Sequence, residues 1–354
     1  MPTPTIPDGK LFFNATLWTG DGTSNRAITN GASGQSFQPD FVWLKNRSAG
    51  WGHLLQNSVS GATNEMQSNG TGAEVNQFEY GYVASFNSNG FTVTNGVTDD
   101  YFTNNSGEAY VAWQWKAGGT AVTNTAGSIS SQVSANTTSG FSVVTYSGNS
   151  TSGATVGHGL GVAPKMVILK RRNGVEAWPV YHSGMPSAAY YMRLNSTNEQ
   201  DTAASFMNNT APSSTVFTLG NGGFSNTSGS TYVAYCWAEI DGFSKFGNYT
   251  GNGSTDGPFI YTGFRPRFIM IKRTDVANWW QMYDTSRNTY NTTDKYLAAQ
   301  TADAEYTASS PNDFIDFNSN GFKIRGSNNA VNANGGTFIY MTFAENPFKY
   351  ANAR

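Results

Sequence analysis

The sequence predicts an all-β protein built from three tandem β-sandwich repeats of about 100 residues each. One set of landmarks recurs three times in the same order along the chain. Apolar runs are short, rich in Val, Ile, Phe, Tyr and Trp, and bounded by Gly, Asn or Pro. No stretch sustains the 3.6-residue apolar periodicity of an amphipathic helix. Short strands and frequent turns therefore favour sandwiches.

The first landmark in each copy is an aromatic residue followed by a hydroxyl residue, a glycine, and an acid or amide. The copies are Trp18-Thr19-Gly20-Asp21, Tyr146-Ser147-Gly148-Asn149 and Tyr249-Thr250-Gly251-Asn252. Glycine next to Asp or Asn is typical of a turn. Each copy is therefore expected to begin with a strand that ends in a tight turn.

The second landmark is an apolar run that begins after a proline and ends in a lysine six positions later. These lysines are Lys45, Lys170 and Lys272. Both alternating faces of the run are apolar, which predicts a strand covered on both sides, and the proline marks where the strand begins. We expect the lysines to be strand-end charges that keep a sheet edge soluble; a repeated binding lysine is the alternative.

Three further landmarks complete each copy. They are a tryptophan (Trp51, Trp178, Trp280), a glycine-aromatic step (Gly90-Phe91, Gly223-Phe224, Gly321-Phe322) and a closing apolar run (residues 110–115, 232–237 and 338–343). Buried aromatic residues remove large areas from water, so Trp115, Trp237 and Phe343 in the closing runs are expected in the core.

The landmarks divide the chain into five segments. We predict an N-terminal tail at 1–10, repeat 1 at 11–118, a linker at 119–139, repeat 2 at 140–241, and repeat 3 with a short C-terminal tail at 242–354. The linker contains mostly Gly, Ser, Thr, Ala and Asn, as connectors or extended tail strands do.

Composition excludes several classes of function. A formal net charge of −2 provides no basic surface for nucleic acid. No apolar stretch is long enough to insert into a membrane, and the N-terminus lacks the apolar core of a secretory signal, so assembly in a cytoplasm is expected. The single cysteine, Cys236, excludes an intramolecular disulfide and cysteine-based metal sites.

Aromatic and polar residues beside the recurring tryptophans are the candidate ligand-binding groups. They are Trp51, His53, Trp178, Tyr181, His182, Trp280 and Tyr283. An aromatic plane flanked by polar groups is suited to stack on the apolar face of a sugar ring. The alternative is that the tryptophans pack against the lysine stems with a cation–π contribution.

No pattern of catalytic residues is present, so we predict that the protein is not an enzyme. His53, His158 and His182 lack carboxylate or cysteine partners at metal-ligand spacing. No nucleophile stands at a strand-to-helix turn. Glu239 and Glu345 follow equivalent closing runs but fall in different repeats, where a glycosidase needs two facing carboxylates. We therefore expect no cofactor, no metal and no catalytic residue.

Residues 110–181 resemble a repeat found in structural proteins of marine tailed bacteriophages, among them tail-fibre-like and other virion proteins. The resemblance lies in Val111-Ala112-Trp113-Gln114-Trp115, in residues 123–129 and 133–136, and in Gly157-His158-Gly159-Leu160-Gly161 with the strand that follows. It covers about residues 108–240, and the other two copies share only the landmarks. Copy three replaces the Gly-His-Gly turn with residues 261–265. The resemblance implies a phage particle component without catalytic residues.

Two functions are consistent with these observations. The first is a tail fibre or appendage component that binds host-surface glycans, with a homotrimer expected by analogy with fibres and avidity from repeated sites. The second is a capsid or tail decoration protein that grips neighbouring virion subunits, its polar tail and linker adding strands to a partner sheet. Both place the chain in the virion, assembled in the host cytoplasm beside other virion proteins.

Overall fold

The computed structural model describes residues 6, 8–31, 34–308 and 314–346. For residues 345 and 346 it describes the backbone alone. The described chain is nearly all β, in antiparallel sheets with two short helices, which confirms the predicted all-β class. Among these residues, no helix has the length and apolar character required to span a membrane. The C-terminal tail and most of the N-terminal tail lie outside the described residues.

The first third of the chain forms one large and one small sheet. After a 3-10 helix at Gly9–Leu11, its strands are β1 Phe13–Thr19, β2 Arg26–Thr29, β3 Phe41–Asn46, β4 Leu54–Asn57, β5 Gly61–Met66, β6 Val75–Asn76, β7 Tyr82–Asn87, β8 Gly90–Thr94 and β9 Ala109–Trp115. The large sheet has the order β1-β9-β3-β4-β5-β6, and the small sheet has the order β2-β8-β7.

The second third has a larger sheet because two additional strands, β10 and β11, extend it beyond β12. The elements are β10 Val122–Asn124, β11 Ser131–Asn136, β12 Phe141–Ser147, β13 Thr155–Gly157, β14 Met166–Arg171, β15 Pro179–His182, β16 Tyr190–Arg193, β17 Asp201–Thr202, α1 Ala204–Met207, β18 Val216–Thr218 and β19 Thr231–Trp237. The large sheet is ordered β10-β11-β12-β19-β14-β15-β16-β17, and β13 pairs with β18.

The last third returns to the six-stranded arrangement. Its elements are β20 Ser244–Thr250, β21 Phe259–Tyr261, β22 Arg265–Arg273, β23 Trp280–Asp284, β24 Lys295–Ala298, β25 Tyr306–Thr307, β26 Ile315–Asn318, β27 Gly321–Ile324, α2 Asn329–Asn332 and β28 Thr337–Asn346. The sheets are ordered β20-β28-β22-β23-β24-β25 and β21-β27-β26.

The same strand order thus occurs in three units, which we define as β1–β9, β12–β19 and β20–β28. In each unit the last strand lies between the first strand and the lysine-terminated strand. The register also agrees, because Lys45 lies opposite Val111, Lys170 opposite Val233 and Lys272 opposite Ile339. The exact domain boundaries proposed from the sequence stay predictions.

Each large sheet buries both of its faces, as the apolar runs predict. One face packs within its own unit and forms a separate core there. The opposite faces of all three sheets meet in one shared core. Aromatic rings join the units in this core: Phe13 stacks on Phe343 at 5.0 Å, and Phe41 stacks on Tyr235 at 4.2 Å. The units therefore form one body rather than independent sandwiches in a row.

Each pair of units meets along a seam, and three equivalent backbone hydrogen bonds mark the three seams. In each, the amide just before the short edge strand of one large sheet (β6, β17 or β25) donates to a carbonyl just after the lysine strand of another unit. The bonds run from Glu74 to Arg172 (2.7 Å), from Gln200 to Thr274 (2.8 Å) and from Glu305 to Arg47 (2.9 Å). First meets second, second meets third, and third meets first, so the units close into a ring.

The first landmark is structural in all three units. Its aromatic side chain stacks on the first aromatic residue of the closing strand and donates to the carbonyl that precedes a buried asparagine. The donors and acceptors are Trp18 to Thr103, Tyr146 to Ser225 and Tyr249 to Val331. The asparagines Asn104, Asn226 and Asn332 then bind the turn that follows the landmark. A Cβ on Gly148 would lie 2.4 Å from the Thr227 carbonyl oxygen, which explains the glycine.

The segment predicted as a linker, residues 119–139, adds two strands to the large sheet of the second unit. Strand β11 pairs along β12 from Ser131 to Asn136, and β10 pairs with β11. Ile129 is buried in the core of the second unit. The prediction of a connector was wrong, although its alternative of an extended strand was right. Strands β10 and β11 join a sheet of the same chain because Ile129 and Val133 pack in the core of the second unit. These two residues are few among the small and polar residues of the segment, so its composition did not predict the packing.

The predicted N-terminal tail also packs where it is described. Ile6 is 1% exposed and belongs to the shared core. Asp8 begins the 3-10 helix, and its side chain accepts a hydrogen bond from the Lys10 amide at 2.9 Å. Residues 6 and 8–10 therefore anchor to the ring.

Candidate functional site

Six of the seven candidate ligand-binding residues are buried, so their rings are not exposed to stack on a sugar. These six are His53, Trp178, Tyr181, His182, Trp280 and Tyr283, none more than 6% exposed. Their neighbouring polar residues had suggested exposure. Residues of the other units cover these side chains in the shared core and at the seams, and the sequence alone did not predict those contacts.

His53, Trp178 and Trp280 occupy equivalent places, each eight residues after the recurring lysine. Each makes a side-chain hydrogen bond across a seam. The partners are the carbonyls of Ala298 for His53 (3.1 Å), Gly70 for Trp178 (3.0 Å) and Arg193 for Trp280 (2.9 Å). Trp51 is therefore not the counterpart of the other two tryptophans. These three residues hold the ring together.

His53 and His182 are neutral groups in seams. Trp43 Nε1 donates to His53 Nδ1 at 2.9 Å, which leaves Nε2–H of His53 to donate to Ala298. Burial holds the pKa of His53 well below its usual value. His182 Nε2 lies 3.0 Å from the Tyr340 carbonyl oxygen, and burial lowers the pKa of His182 to about 4. Neither imidazole is available to a ligand in solution.

The remaining two buried candidates also have structural partners. Tyr283 Oη donates to Gln281 Oε1 at 2.7 Å, and its ring packs in the core of the third unit. Tyr181 packs in the core of the second unit, where burial raises its pKa. Both tyrosines are therefore core residues.

The three recurring lysines are fully buried, so their interpretation as soluble strand-end charges was wrong. Burial lowers their pKa values, to about 7 for Lys45 and Lys272 and about 8 for Lys170. Two of them donate across seams: Lys170 to the Thr71 carbonyl at 3.0 Å and Lys272 to the Thr197 carbonyl at 3.1 Å. Lys170 Nζ also lies 5.9 Å from the Trp178 ring centroid, which is the cation–π contact of the alternative interpretation.

Trp51 is the one candidate that reaches the surface. It is half-buried, and its ring lies parallel to that of Tyr101, with centroids 4.6 Å apart and an interplanar angle of 3°. Tyr80 is also half-buried and stacks near Trp51 at 6.3 Å. Phe102 is buried beneath them, 5.6 Å from Trp51. We call Trp51, Tyr80 and Tyr101 the aromatic platform.

Polar groups surround the aromatic platform and fix its position. Asn46 donates to the Tyr101 carbonyl at 2.8 Å. A hydrogen bond to Asp99 raises the pKa of Tyr101 and lowers that of Asp99. Gly50, just before Trp51, faces the Ala302 carbonyl of the third unit, 3.8 Å from where a Cβ would stand. The platform therefore lies beside the seam between the first and third units, with carboxylates at its rim.

Sequence reasoning missed Tyr80 and Tyr101 because neither belongs to a recurring landmark. Asp99-Asp100-Tyr101-Phe102 and Glu79-Tyr80 each place aromatic residues beside acids in a turn-rich stretch, and that combination was the available signal. Recurring residues such as Lys170 and Trp178 hold the ring, whereas the three rings of the aromatic platform lie in the first copy.

A cleft of about 520 Å³ lies between the start of β3 and the chain that leaves β9. Its buried carboxylate, Asp40, accepts hydrogen bonds from Ser58 Oγ and from the Ala117 amide, both at 2.8 Å. Burial raises the pKa of Asp40. Because these bonds hold the departing chain, Asp40 has a structural task. Within residues 6, 8–31, 34–308 and 314–346, no cluster of His, Cys, Asp or Glu is arranged to hold a metal ion.

A family model described as a domain of unknown function (DUF7483) matches residues 8–347. No curated protein and no solved structure matches the chain.

Proposed function

We propose that this chain, which belongs to the DUF7483 family, is a non-enzymatic virion protein of a tailed phage that binds host-surface glycans through the aromatic platform. It serves as a tail-fibre or appendage component. The observation that carries the binding proposal is the parallel stack of Trp51 and Tyr101, which is partly open to solvent. The phage assignment depends on the resemblance of residues 110–181.

The platform has the chemistry that sugar recognition requires. Aromatic faces stack on the C–H face of a pyranose, while amide, hydroxyl and carboxylate groups bind its hydroxyls. Trp51 and Tyr101 supply the faces, and Asp99 supplies a carboxylate. Phe102 packs against the Trp51 ring, and Asn46 holds Tyr101 by a hydrogen bond to its carbonyl. Such a preformed surface binds without a large ordering cost.

The test is binding of the full chain to polysaccharides purified from candidate host cells, followed by biolayer interferometry. We expect Trp51→Ala to weaken binding at least tenfold, which corresponds to about 1.4 kcal/mol. The matched control is Trp279→Ala, which removes a half-buried tryptophan that packs on Tyr306 at 5.1 Å in the third unit. Equal losses in both variants, or none in Trp51→Ala, would contradict the assignment of the site. Thermal melts of both variants establish that each is folded.

The second candidate function is a decoration or accessory protein that grips neighbouring virion subunits. The observation that favours it is the open edge of β21, which carries exposed Phe259 and Tyr261. Copurification of this chain with capsid or tail subunits, without any polysaccharide binding, would support this function over the first.

A further inference from the structure

The small sheets of the second and third units have equivalent edge strands, β13 and β21. Val156 lies opposite Phe217 in the second unit as Ile260 lies opposite Phe322 in the third. The residues on either side of Val156 and Ile260 direct their backbone groups away from the paired strand, since alternate residues of an antiparallel pair form its hydrogen bonds. Thr155 and Phe259 therefore hold the same position at an outer edge.

In the second unit this edge is covered by the segment that precedes β11. The Ile129 amide donates to the Thr155 carbonyl at 2.9 Å, and Ile129 pairs with Val156 in parallel orientation. Ser131 Oγ donates to the Gly157 carbonyl at 3.1 Å. The Ile129 side chain is 7% exposed and packs in the core of the unit. One extended strand thus completes both the edge and the core.

The covering strand has a local sequence requirement. A Cβ at Gly127 would lie 2.3 Å from the Thr155 carbonyl oxygen, so only glycine fits two residues before the buried isoleucine. Ser128 Oγ accepts a hydrogen bond from the Thr155 amide at 2.9 Å. A strand that covers such an edge therefore has the pattern Gly-Ser-Ile.

In the third unit no described residue covers the equivalent edge. No backbone hydrogen bond joins the outer side of Phe259 or Tyr261 to another part of the described chain. Phe259 is 46% exposed and Tyr261 is 63% exposed. The strand Phe259-Ile260-Tyr261 also lacks the charges, prolines or bulges by which natural proteins protect their edges from pairing.

We propose that the β21 edge accepts an extended strand from a partner protein, in parallel orientation and with a glycine two residues before a buried β-branched residue. The second unit supplies the precedent, because its own chain provides such a strand at the equivalent edge. Backbone hydrogen bonds give the affinity in strand addition, and side-chain pockets give the specificity. The proposal does not depend on glycan binding at the aromatic platform.

The first unit provides the matched control. Its equivalent edge residues are Ala27 and Thr29, on either side of Ile28. Both are exposed, but neither is a large apolar residue. A partner strand would bury far less apolar surface there than against Phe259 and Tyr261.

The experiment uses the full chain and a fluorescein-labelled peptide with the sequence of residues 124–136, followed by fluorescence anisotropy. We expect saturable binding that Tyr261→Pro weakens at least tenfold, because proline removes the outward amide without breaking a bond to β27. Thr29→Pro makes the same change in the first unit and should leave binding intact. A peptide with aspartate in place of Ile129 should bind at least tenfold more weakly than the parent peptide.

Three outcomes would overturn the proposal. They are the absence of binding to the wild-type chain, equal binding by Tyr261→Pro and wild type, and equal binding of the parent and aspartate peptides. Undiminished binding by Tyr261→Pro would mean that the peptide binds at a site other than the β21 edge. Tyr261→Phe keeps the outward amide and should bind as wild type does, which separates loss of the edge from loss of the tyrosine hydroxyl.

Discussion

Arg172 and Glu74 form a two-pronged ion pair across the seam between the first and second units, with N–O distances of 2.9 and 2.7 Å. Arg47 and Glu305 form the same pair across the seam between the first and third units. At the remaining seam both charges are absent, since Thr274 and Gln200 occupy these places and keep only the backbone bond. Each seam thus has both the arginine and the glutamate or neither of them.

Arg172→Ala is expected to lower the free energy of unfolding by about 1–3 kcal/mol, because it leaves a partly buried carboxylate without its charge-assisted hydrogen bonds. Urea denaturation measures the change. The double variant Arg172→Thr with Glu74→Gln copies the third seam and should cost less than the sum of its single substitutions. Additive effects would show that the two side chains do not interact.

Trp178→Ala should destabilise the whole ring rather than the second unit alone. The side chain is fully buried in the shared core and donates across a seam, and loss of such a residue costs about 3–5 kcal/mol. Differential scanning calorimetry should show one transition that moves to lower temperature. Three transitions in the wild type, with only one shifted in the variant, would contradict the shared core.

Much of this fold follows from the pattern of residues, but the closure of the ring does not. Alternating apolar faces in the lysine strands predicted that both sides are covered, and they are. The sequence pattern could not say that the second cover comes from the other units. A count of eight residues from each lysine would have identified His53 as the counterpart of Trp178, but the shared tryptophan side chain led to Trp51 instead.

A similar mismatch occurred at the glycine-aromatic step of the second copy. Phe217, rather than Phe224, lies where Phe91 and Phe322 lie in the other units. The glycine-aromatic step at 223 occurs by coincidence in a turn after β18. Sequence spacing located the strands, whereas pairing in three dimensions determined which residues are equivalent.

Glu65→Gln should stabilise the protein at neutral pH. The Glu65 carboxyl is 2% exposed, its Oε2 has no hydrogen-bond partner, and burial raises its pKa to about 8. The unfolded carboxyl titrates near pH 4.3. Between these values the folded state holds a proton that the unfolded state has released, so this group makes stability fall as pH rises.

The wild type and Glu65→Gln should therefore have equal free energies of unfolding below about pH 4. At pH 8 the free energy of unfolding of Glu65→Gln should exceed that of the wild type by at least about 1 kcal/mol. Urea unfolding across this range measures the difference. A constant difference at every pH would mean that Glu65 titrates normally. Glu79→Gln is the control, because Glu79 is exposed in the same unit.

Limited proteolysis should leave residues 119–139 uncut under conditions that cleave exposed loop tips. The segment is paired in β10 and β11 and anchored by buried Ile129, and proteases require locally unfolded backbone. Ile129→Asp should make the same segment the first to be cut, because a buried charge without a partner releases it. Rapid cleavage of the wild type within residues 119–139 would contradict this account and support the sequence-based prediction that the segment is a linker.

Immunogold labelling of intact phage particles, with antibody raised against this chain, tests the proposed function most directly. We expect label on the tail or its fibres, where a host-binding appendage is exposed. Label confined to the head would contradict the appendage role and support a decoration protein. The absence of label from the particle, with the protein detected in infected cells, would contradict its place in the virion.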